Sequence, residues 1–299
     1  MLITLLSRFW VAVIKSLRHV PMPVRNCMAS VLAWAMWVAL SDRRHVTLTN
    51  LKLCFPHLTQ TQREELAKKT YRRLARAALD HGVLWAGSRE DIEAMVKFEG
   101  LENLTEPYKN NEPVIVIAPH FIGLDAAGIG FNLHVRGCSL YQRQSNPVWD
   151  EAALAGRLRF ADPVLIPKTG QGNDLKAVIR AIREGMPFYY LPDMDHGRKN
   201  SIFVPFFGTP AATVPMVSRL AKVTKATVVF CVAEMTADGY VIHVSEAWKN
   251  FPTEDSEADT RHVTEQLENW IKKLPDQYLW THRRFKTRPE GELSVYRDK

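Results

Sequence analysis

The residues best suited to chemistry in this chain are a histidine and an aspartate that follow an apolar run. His120 and Asp125 are five positions apart in the segment PHFIGLD, directly after the run Val114–Ala118. A neutral imidazole accepts protons near neutral pH, and a carboxylate bonded to its other nitrogen holds it in one tautomer. The pair therefore predicts a general base that activates a hydroxyl group carried by a substrate.

The spacing limits how these two side chains can meet. On an ideal helix, residues five positions apart point about 140° away from each other. His120 must therefore lie in the turn before a helix, with Asp125 in the first helical turn, where a carboxylate is favourable. We then expect Asp125 to accept a hydrogen bond from His120. A structural histidine next to a helix-capping aspartate is the other interpretation of the same residues.

Short apolar runs and amphipathic segments alternate through the body of the chain. Strands are predicted over Val114–Ala118, Ser139–Gln142, Val164–Ile166, Phe188–Leu191, Thr227–Ala233 and Tyr240–Val244. Helices are predicted over Thr61–Leu84, Leu124–His134, Trp149–Phe160, Asp174–Glu184, Val214–Thr224 and Glu257–Lys273. This alternation indicates an α/β fold with a mixed, largely parallel sheet flanked by helices. Sites in such sheets lie beyond the carboxyl ends of strands, which is where His120 falls.

The N-terminal part of the chain is both basic and apolar. Residues 1–52 contribute +6 of the net charge of +7. The apolar stretches Leu2–Ile14 and Cys27–Leu40 are each too short to cross a bilayer comfortably, and two prolines separate them. Together they predict a helical membrane anchor over residues 1–42 that lies in or on an anionic bilayer surface. The alternative is a helical hairpin buried against the main domain, residues 43–299.

Cysteine usage and motifs argue against several classes of protein. The four cysteines form no CxxC pair, so a zinc site or a disulfide framework is not expected and a reducing compartment fits best. The basic arm is too apolar for a nucleic-acid-binding segment, and the chain has no recognisable nucleic-acid-binding module. The absence of a GxSxG segment argues against a serine hydrolase.

The segment HFIGLD and further blocks along the chain resemble one known family. The other blocks are RRHVTLTNLKLCF at 43–55, YQR at 141–143 with Asn146 and Pro147, DMDHG at 193–197, VPFFG at 204–208 with PAAT at 210–213, and QYLWTHRRFKTRP at 277–289. In type and order they resemble the HxxxxD/E acyltransferases that complete lipid A, the lauroyl and myristoyl transferases of Gram-negative bacteria. These belong to the lysophospholipid acyltransferase superfamily. The acidic residue of the motif is Asp125 here, where many members have glutamate.

The resemblance implies a glycerolipid acyltransferase-like fold and an O-acyltransferase without cofactor or metal. The expected donor is acyl carrier protein, the expected acceptor is a lipid A precursor, and the expected location is the cytoplasmic face of a bacterial inner membrane. In that mechanism His120 deprotonates the acceptor hydroxyl and Asp125 orients His120. Enzymes that acylate a lysophospholipid, an ornithine lipid or a mannosyl lipid, and a non-catalytic lipid-binding membrane protein, are the alternatives.

The other blocks supply residues expected to bind substrate or to stabilise an oxyanion. These are Arg143, Asn146, Asp193, Asp195, Arg283 and Arg284. Arg143 suits a lipid phosphate or an oxyanion, although a salt bridge is an equal alternative. Asp193 and Asp195 suit an acceptor sugar or Arg143. The segment Val204–Gly208 is expected to be a stiff apolar loop, and the cationic C-terminal cluster, interleaved with aromatic residues, is expected to meet carrier protein or lipid phosphate.

Overall fold

A seven-stranded sheet forms the centre of the protein, for which a computed structural model describes residues 2–169 and 173–296. Its strands are β1 (Val96–Glu99), β2 (Val114–Ile117), β3 (Cys138–Tyr141), β4 (Val164–Pro167), β5 (Phe188–Tyr190), β8 (Thr227–Met235) and β9 (Tyr240–Val244). The spatial order is β1-β9-β8-β2-β5-β3-β4. All neighbours are parallel except β8 and β9, which form an antiparallel pair. The mixed, largely parallel sheet is therefore confirmed.

Helices cover both faces of this sheet. They are α1 (Leu2–Ser16), α2 (Met22–Ala39), α3 (Ser41–Cys54), α4 (Gln60–Ala86), α5 (Arg89–Met95), α6 (Glu102–Lys109), α7 (Leu124–Phe131), α8 (Pro147–Arg157), α9 (Asn173–Arg183), α10 (Met216–Thr224) and α11 (Ser256–Lys273), with a short 3₁₀ turn at Leu17–His19. Two large apolar clusters, one on each face, bury the strands between them. Every residue of β2 is buried, because its neighbours β8 and β5 and both helical layers surround it.

A β-hairpin replaces one predicted loop. The strands β6 (Ile202–Phe206) and β7 (Thr209–Thr213) pair antiparallel, so the prediction of a stiff loop at Val204–Gly208 is wrong. Two prolines in the segment suggested a loop, but Pro205 and Pro210 lie opposite each other in a sheet of only two strands. Both strands of such a sheet are edges, where proline is tolerated. Phe206 is fully buried in the apolar core.

The N-terminal helices α1 and α2 pack against α4. Leu17, Ala29 and Ala33 form an apolar cluster with side chains of α4. The outer faces of α1 and α2 expose large apolar side chains: Ile3, Leu5, Leu6, Phe9, Trp10, Val24, Met28, Val31, Trp34 and Val38. Across the described helices, none alone has both the length and the apolar composition of a bilayer span. Only the pair α2 and α3, bent by 94°, meets that test when taken together.

A buried ionic network joins α2, α4 and the end of the sheet. Asp80 on α4 is fully buried and accepts hydrogen bonds from Arg25 at 2.7 Å, Arg76 at 3.2 Å and the Tyr240 hydroxyl at 2.8 Å. Arg25 is one of the cations of the basic segment 1–52, yet it points into the protein and not towards solvent. A buried carboxylate and two guanidinium groups stabilise one another only when all three are present.

We predict that Asp80→Ala destabilises the protein by about 3–5 kcal/mol, because it leaves two buried guanidinium groups without their anion. Thermal and denaturant unfolding in detergent measure the change. Glu65→Ala on the exposed face of the same helix is the control and should stay within about 0.5 kcal/mol of the parent protein. Equal stabilities of the two variants would contradict the role given to this network.

Candidate active site

His120 lies in the turn that follows β2, at the carboxyl edge of the sheet. The neighbouring parallel strand is β5, and the chain that leaves β5 carries Asp193 to the same edge. Nδ1 of His120 is 2.8 Å from Oδ1 of Asp193, and the backbone N–H of His120 donates to Oδ2 at 3.0 Å. A carboxylate only accepts, so Nδ1 carries the hydrogen and Nε2 is the basic nitrogen. The pairing of β2 with β5 thus assembles this dyad.

Asp193 is buried and fully hydrogen-bonded. Its side chain is only 2% exposed, and Oδ2 also accepts a hydrogen bond from the Tyr278 hydroxyl at 2.9 Å. Burial alone would raise the pKa of Asp193, but the adjacent His120 and the hydrogen bonds from His120 and Tyr278 hold it well below its usual range. Burial and the charge of Asp193 raise the pKa of Tyr278, so its hydroxyl stays a donor. Asp193 is therefore an anion at neutral pH.

The other ring nitrogen of His120 is available to a substrate. Within the described part of the chain, Nε2 of His120 makes no hydrogen bond, and the side chain is 16% exposed. An imidazole held by a carboxylate at Nδ1 and open at Nε2 can take a proton from a bound hydroxyl. The charge of Asp193 then stabilises the imidazolium that forms.

Asp125 does not bond His120, so the predicted hydrogen bond between them is wrong. Asp125 lies in the first turn of α7, as expected, but its carboxylate faces α4 and α8. It accepts from Nε2 of His81 at 3.1 Å and from Arg157 at 2.8 and 3.1 Å. Burial opposes its charge, yet Arg157 and His81 hold the pKa of Asp125 well below its usual range. Asp125 therefore joins three helices next to the dyad and fixes the start of α7.

The C-terminal segment supports the dyad from the other side. The segment 277–279 runs alongside 120–122, where Ile122 N–H donates to the Gln277 carbonyl at 2.8 Å and Leu279 N–H donates to the His120 carbonyl at 3.0 Å. Helix α3 holds this segment, since the Asn50 amide donates at 2.8 Å to the carbonyls of Trp280 and His282. The resembling blocks at 43–55 and 277–289 are thus in direct contact.

Two of the remaining predicted residues have structural contacts and one faces solvent. The side-chain oxygen of Asn146 caps α8 by accepting a hydrogen bond from the N–H of Val148, and the side-chain amide of Asn146 donates to the Ser7 hydroxyl. Asp195 is buried and accepts from Gly197 and from the backbone and hydroxyl of Thr287, so it holds the C-terminal chain. Arg143 is exposed after β3 and makes no hydrogen bond or ion pair with the described residues. Among the described residues, no hydrogen bond or ion pair joins these three side chains to His120 or Asp193.

The C-terminal cationic cluster is largely docked onto the protein. Arg284 is 2% exposed and donates to the Ala212 carbonyl and the Thr213 hydroxyl of the hairpin. Arg283 lies over the ring of Tyr296. Burial lowers the pKa of His282 to about 4, and its Nε2 accepts from the N–H of Asp195 at 3.3 Å. The expected anion-binding role is therefore wrong for Arg284, which ties the C-terminal segment to the hairpin.

An apolar cavity of about 140 Å³ lies beneath α7. It runs from Leu124 and Leu191, next to the dyad, to Gly137, Pro163 and Pro187 at the opposite edge of the sheet. The five residues from Pro187 to Leu191 span roughly 13 Å at ~3.3 Å per step. Asp125 and Arg157 border the cavity, and most of its lining is apolar. Its form suits an extended hydrocarbon chain.

Comparisons with known proteins identify the family of this chain. Residues 1–287 match the family model described as bacterial lipid A biosynthesis acyltransferase. The chain belongs to this acyltransferase family. It is 29% identical over 282 residues to the lipid A biosynthesis palmitoleoyltransferase of Escherichia coli (strain K12). That alignment covers 93% of this chain and 90% of the palmitoleoyltransferase. It is 32% identical over 262 residues to the lipid A biosynthesis myristoyltransferase of the same strain, with 87% and 80% covered.

A solved structure gives a weaker similarity. The 1-acyl-sn-glycerophosphate acyltransferase of Thermotoga maritima aligns with a TM-score of 0.41 and 14% identity, covering 84% of this acyltransferase and 97% of that chain. Similarity at this level carries no conclusion about the site. In the described residues of the acyltransferase, no group of three or more His, Cys, Asp or Glu side chains is arranged to hold a metal ion.

Three residues next to the predicted pair were not recognised from the sequence. Tyr278 stood in the quoted QYLW block, but nothing in its spacing connected it to Asp193. His81 and Arg157 are ordinary members of amphipathic helices, and only the packing of α4 and α8 on α7 brings them to Asp125. The signal available in the sequence was an acidic residue shortly after a predicted buried strand. Asp193 meets this description as well as Asp125 does.

We predict that Asp193→Asn lowers kcat by at least about 100-fold, because the amide loses the charge that orients His120 and stabilises the imidazolium. Asp125→Asn is the matched comparison. It should mainly lower the melting temperature through the loss of the ion pair with Arg157. Steady-state kinetics and thermal unfolding of both variants measure this. A larger loss of kcat in Asp125→Asn than in Asp193→Asn would contradict the assignment.

Proposed function

We propose that this protein transfers a fatty acyl chain from acyl carrier protein to a hydroxyl of a lipid A precursor. The observation that carries the proposal is the His120–Asp193 dyad, with Nε2 of His120 open to a substrate. Family membership supports acyl transfer in lipid A biosynthesis. The cavity beneath α7 supports a substrate with a hydrocarbon chain.

In the proposed mechanism the acceptor supplies the nucleophile. Nε2 of His120 removes the proton of the acceptor hydroxyl as its oxygen attacks the thioester carbonyl. Asp193 holds the Nδ1 hydrogen and balances the positive charge on the ring. The tetrahedral intermediate then releases the carrier thiolate, which takes the proton back from His120. The mechanism requires no acyl-enzyme intermediate.

The test of this function is product formation by the purified full-length protein in mixed micelles. With acylated carrier protein and a lipid A precursor, we expect mass spectrometry to detect a glycolipid heavier by one fatty acid less one water. A lysophospholipid offered in the same assay tests the alternative acceptor. Acylation of the lysophospholipid but not of the lipid A precursor would overturn the proposed acceptor. Transfer from acyl-coenzyme A but not from acylated carrier protein would overturn the proposed donor.

The acyl chain is proposed to occupy the cavity beneath α7. Gly128 lines this cavity, and a Cβ at that position would meet only Tyr189, at an ordinary contact distance of 3.9 Å. A larger side chain at 128 therefore fills cavity space without disturbing the backbone. Helix α7 should tolerate the change, since glycine is the poorer helix former.

We predict that Gly128→Leu shifts donor preference towards shorter acyl chains. Each methylene that loses its place in the cavity costs about 0.8 kcal/mol, or about fourfold in kcat/KM. Competition between carrier-bound acyl chains of different length measures the shift. Gly128→Ala is the control and should keep the parent preference. The same preference in Gly128→Leu and the parent would place the acyl chain elsewhere.

The exposed apolar faces of α1 and α2 are proposed to lie in the bilayer surface. Val31 and Trp34 are each 69% exposed and lie on the side of α2 that faces away from α4. Apolar side chains this exposed, with Trp10 and Trp34 among them and the exposed Arg8 on the same helical pair, suit the interface of an anionic membrane. We therefore propose attachment to the cytoplasmic face of the inner membrane, where acylated carrier protein is available.

We predict that a Val31→Glu, Trp34→Glu double variant binds phosphatidylglycerol vesicles at least about tenfold more weakly than the parent. Each side chain would lose about 1.5–3 kcal/mol of burial in lipid. Vesicle co-sedimentation measures binding. Val223→Glu on α10, which replaces a side chain that is 51% exposed, is the control and should bind normally. Equal losses of vesicle binding in the double variant and in Val223→Glu would contradict the proposed contact of α2 with the membrane.

A further inference from the structure

A second concave site lies between α2, α4 and the turn that joins β8 to β9. This basic groove has a volume of about 540 Å³. Its cations are Lys69, Arg72, Arg73 and Arg76 of α4, and Asn26 and Ser30 of α2 form the facing wall. It shares no lining residue with the cavity beneath α7.

The cations of the basic groove outnumber the acidic groups around them. Arg72 and Arg73 are each three or four residues from both Lys69 and Arg76, so the four cations lie on one side of α4 and repel one another. Asp276 pairs with Arg73 at 2.8 Å, and the buried Asp80 meets Arg76 at 3.2 Å. This arrangement costs energy unless an anion is present.

Two of these cations keep hydrogen-bonding capacity that a ligand can reach. Lys69 and Arg72 are exposed and form no ion pair with any residue that the structure describes. Arg76 is buried, yet its Nη2 has no hydrogen-bond partner among the described atoms. The exposed N–H groups of Lys69 and Arg72 are the donors that a bound anion can reach, while the buried Arg76 adds its positive charge at the base of the groove. Phosphate oxygens are suitable acceptors for such a group.

The basic groove lies at the same edge of the sheet as His120. Strand β8 is parallel to β2 and adjacent to it, so both carboxyl ends point the same way. Met235, the last residue of β8, lines the groove. The Gln277 side chain bonds the backbone of Met235, while the Gln277 carbonyl accepts from Ile122, two residues after His120. One short segment therefore connects the groove wall to the dyad.

The groove also borders the surface that is proposed to contact the bilayer. Asn26 and Ser30 face the groove, whereas the exposed Val24 and Val31 lie on the other side of the same helix. A headgroup could enter the groove while its acyl chains stay in the membrane. A concave site of this size suits a headgroup better than a folded carrier protein, which needs about 800 Å² of surface on each partner.

We infer that the basic groove binds a phosphate group of a membrane lipid headgroup during catalysis. This inference rests on the proposed function, because it places a charged part of the lipid beside the hydroxyl that His120 activates. The phosphate comes either from the acceptor glycolipid itself or from a bulk anionic phospholipid next to it. Both have the same chemistry, a tetrahedral anion that accepts several hydrogen bonds from guanidinium and ammonium groups.

The test uses the full-length Lys69→Ala, Arg72→Ala double variant. Both side chains are exposed, so the fold should persist. Lys176→Ala, Arg180→Ala on α9 is the matched control, since it removes the same charge from exposed helical positions. Acyl transfer is measured with a phosphorylated glycolipid acceptor and with the same glycolipid after its phosphates are removed. Binding of both proteins to phosphatidylglycerol vesicles is measured in parallel.

Two results would support the inference and identify the source of the phosphate. A rise of about tenfold or more in KM for the phosphorylated acceptor only, with kcat within about twofold, indicates the phosphate of the acceptor. A similar rise in KM for both acceptors, with weaker vesicle binding, indicates a bulk phospholipid. The control variant should show neither change.

Two other results would overturn the inference. One is KM and vesicle binding equal to those of the control. The other is a rise in KM for acylated carrier protein alone, which would make the groove a protein-docking site.

A third measurement separates this inference from the proposed function. Binding of phosphorylated and dephosphorylated glycolipid micelles to an inactive His120→Ala protein, with and without the groove substitutions, needs no turnover. If the parent enzyme transfers no acyl chain, the proposed function fails and this binding comparison alone decides on the groove.

Discussion

The buried carboxylate of Asp193 is the constraint on which the site depends. An anion removed from water is stable only when donors replace its hydration. His120 supplies two of those donors, through its backbone and its ring, and Tyr278 supplies the third. The same hydrogen bonds that stabilise Asp193 also fix the tautomer and the orientation of His120. The stability of the buried anion and the reactivity of the imidazole thus have one physical origin.

The carboxyl edge of the sheet brings the proposed functional parts together. His120 follows β2, Asp193 follows β5 and the basic groove lies at the end of β8. These three strands are adjacent and parallel. The C-terminal segment crosses this edge and contacts all three, which explains why so many of its side chains are buried. Most cations of the C-terminal segment therefore contact the protein itself. The cations of α4, in contrast, line the open basic groove.

The sequence predicted the body of the fold well, because its signal is local. Buried parallel strands such as β2 are short apolar runs, and α4 shows clear helical periodicity. The strand β1 was not predicted, since its sequence VKFE lacks the continuous apolar run that marks β2. The helix α3 was not predicted either, and its apolar residues show little preference for one face. The hairpin was missed because its prolines suggested a loop.

The partner of His120 could not be predicted from spacing. Asp193 is 73 residues away in sequence, and it reaches His120 only because β5 lies beside β2. The lateral order of strands depends on tertiary packing, which no short motif encodes. Asp125 was the nearer acid, but the first turn of α7 directs it towards Arg157 and His81. The motif thus led to His120 as the candidate base but gave it the wrong hydrogen-bond partner.

The most direct test of the account is single-turnover acyl transfer by His120→Ala, with donor and acceptor already bound. Asp193 keeps its bonds from Tyr278 and from the backbone at 120, so the fold should persist. We predict a rate lower by ~10²–10⁴-fold, with acceptor affinity within about twofold of the parent value. His120→Gln, which can still donate to Asp193, should be equally slow. A rate near that of the parent in either folded variant would contradict the role of His120 as the base.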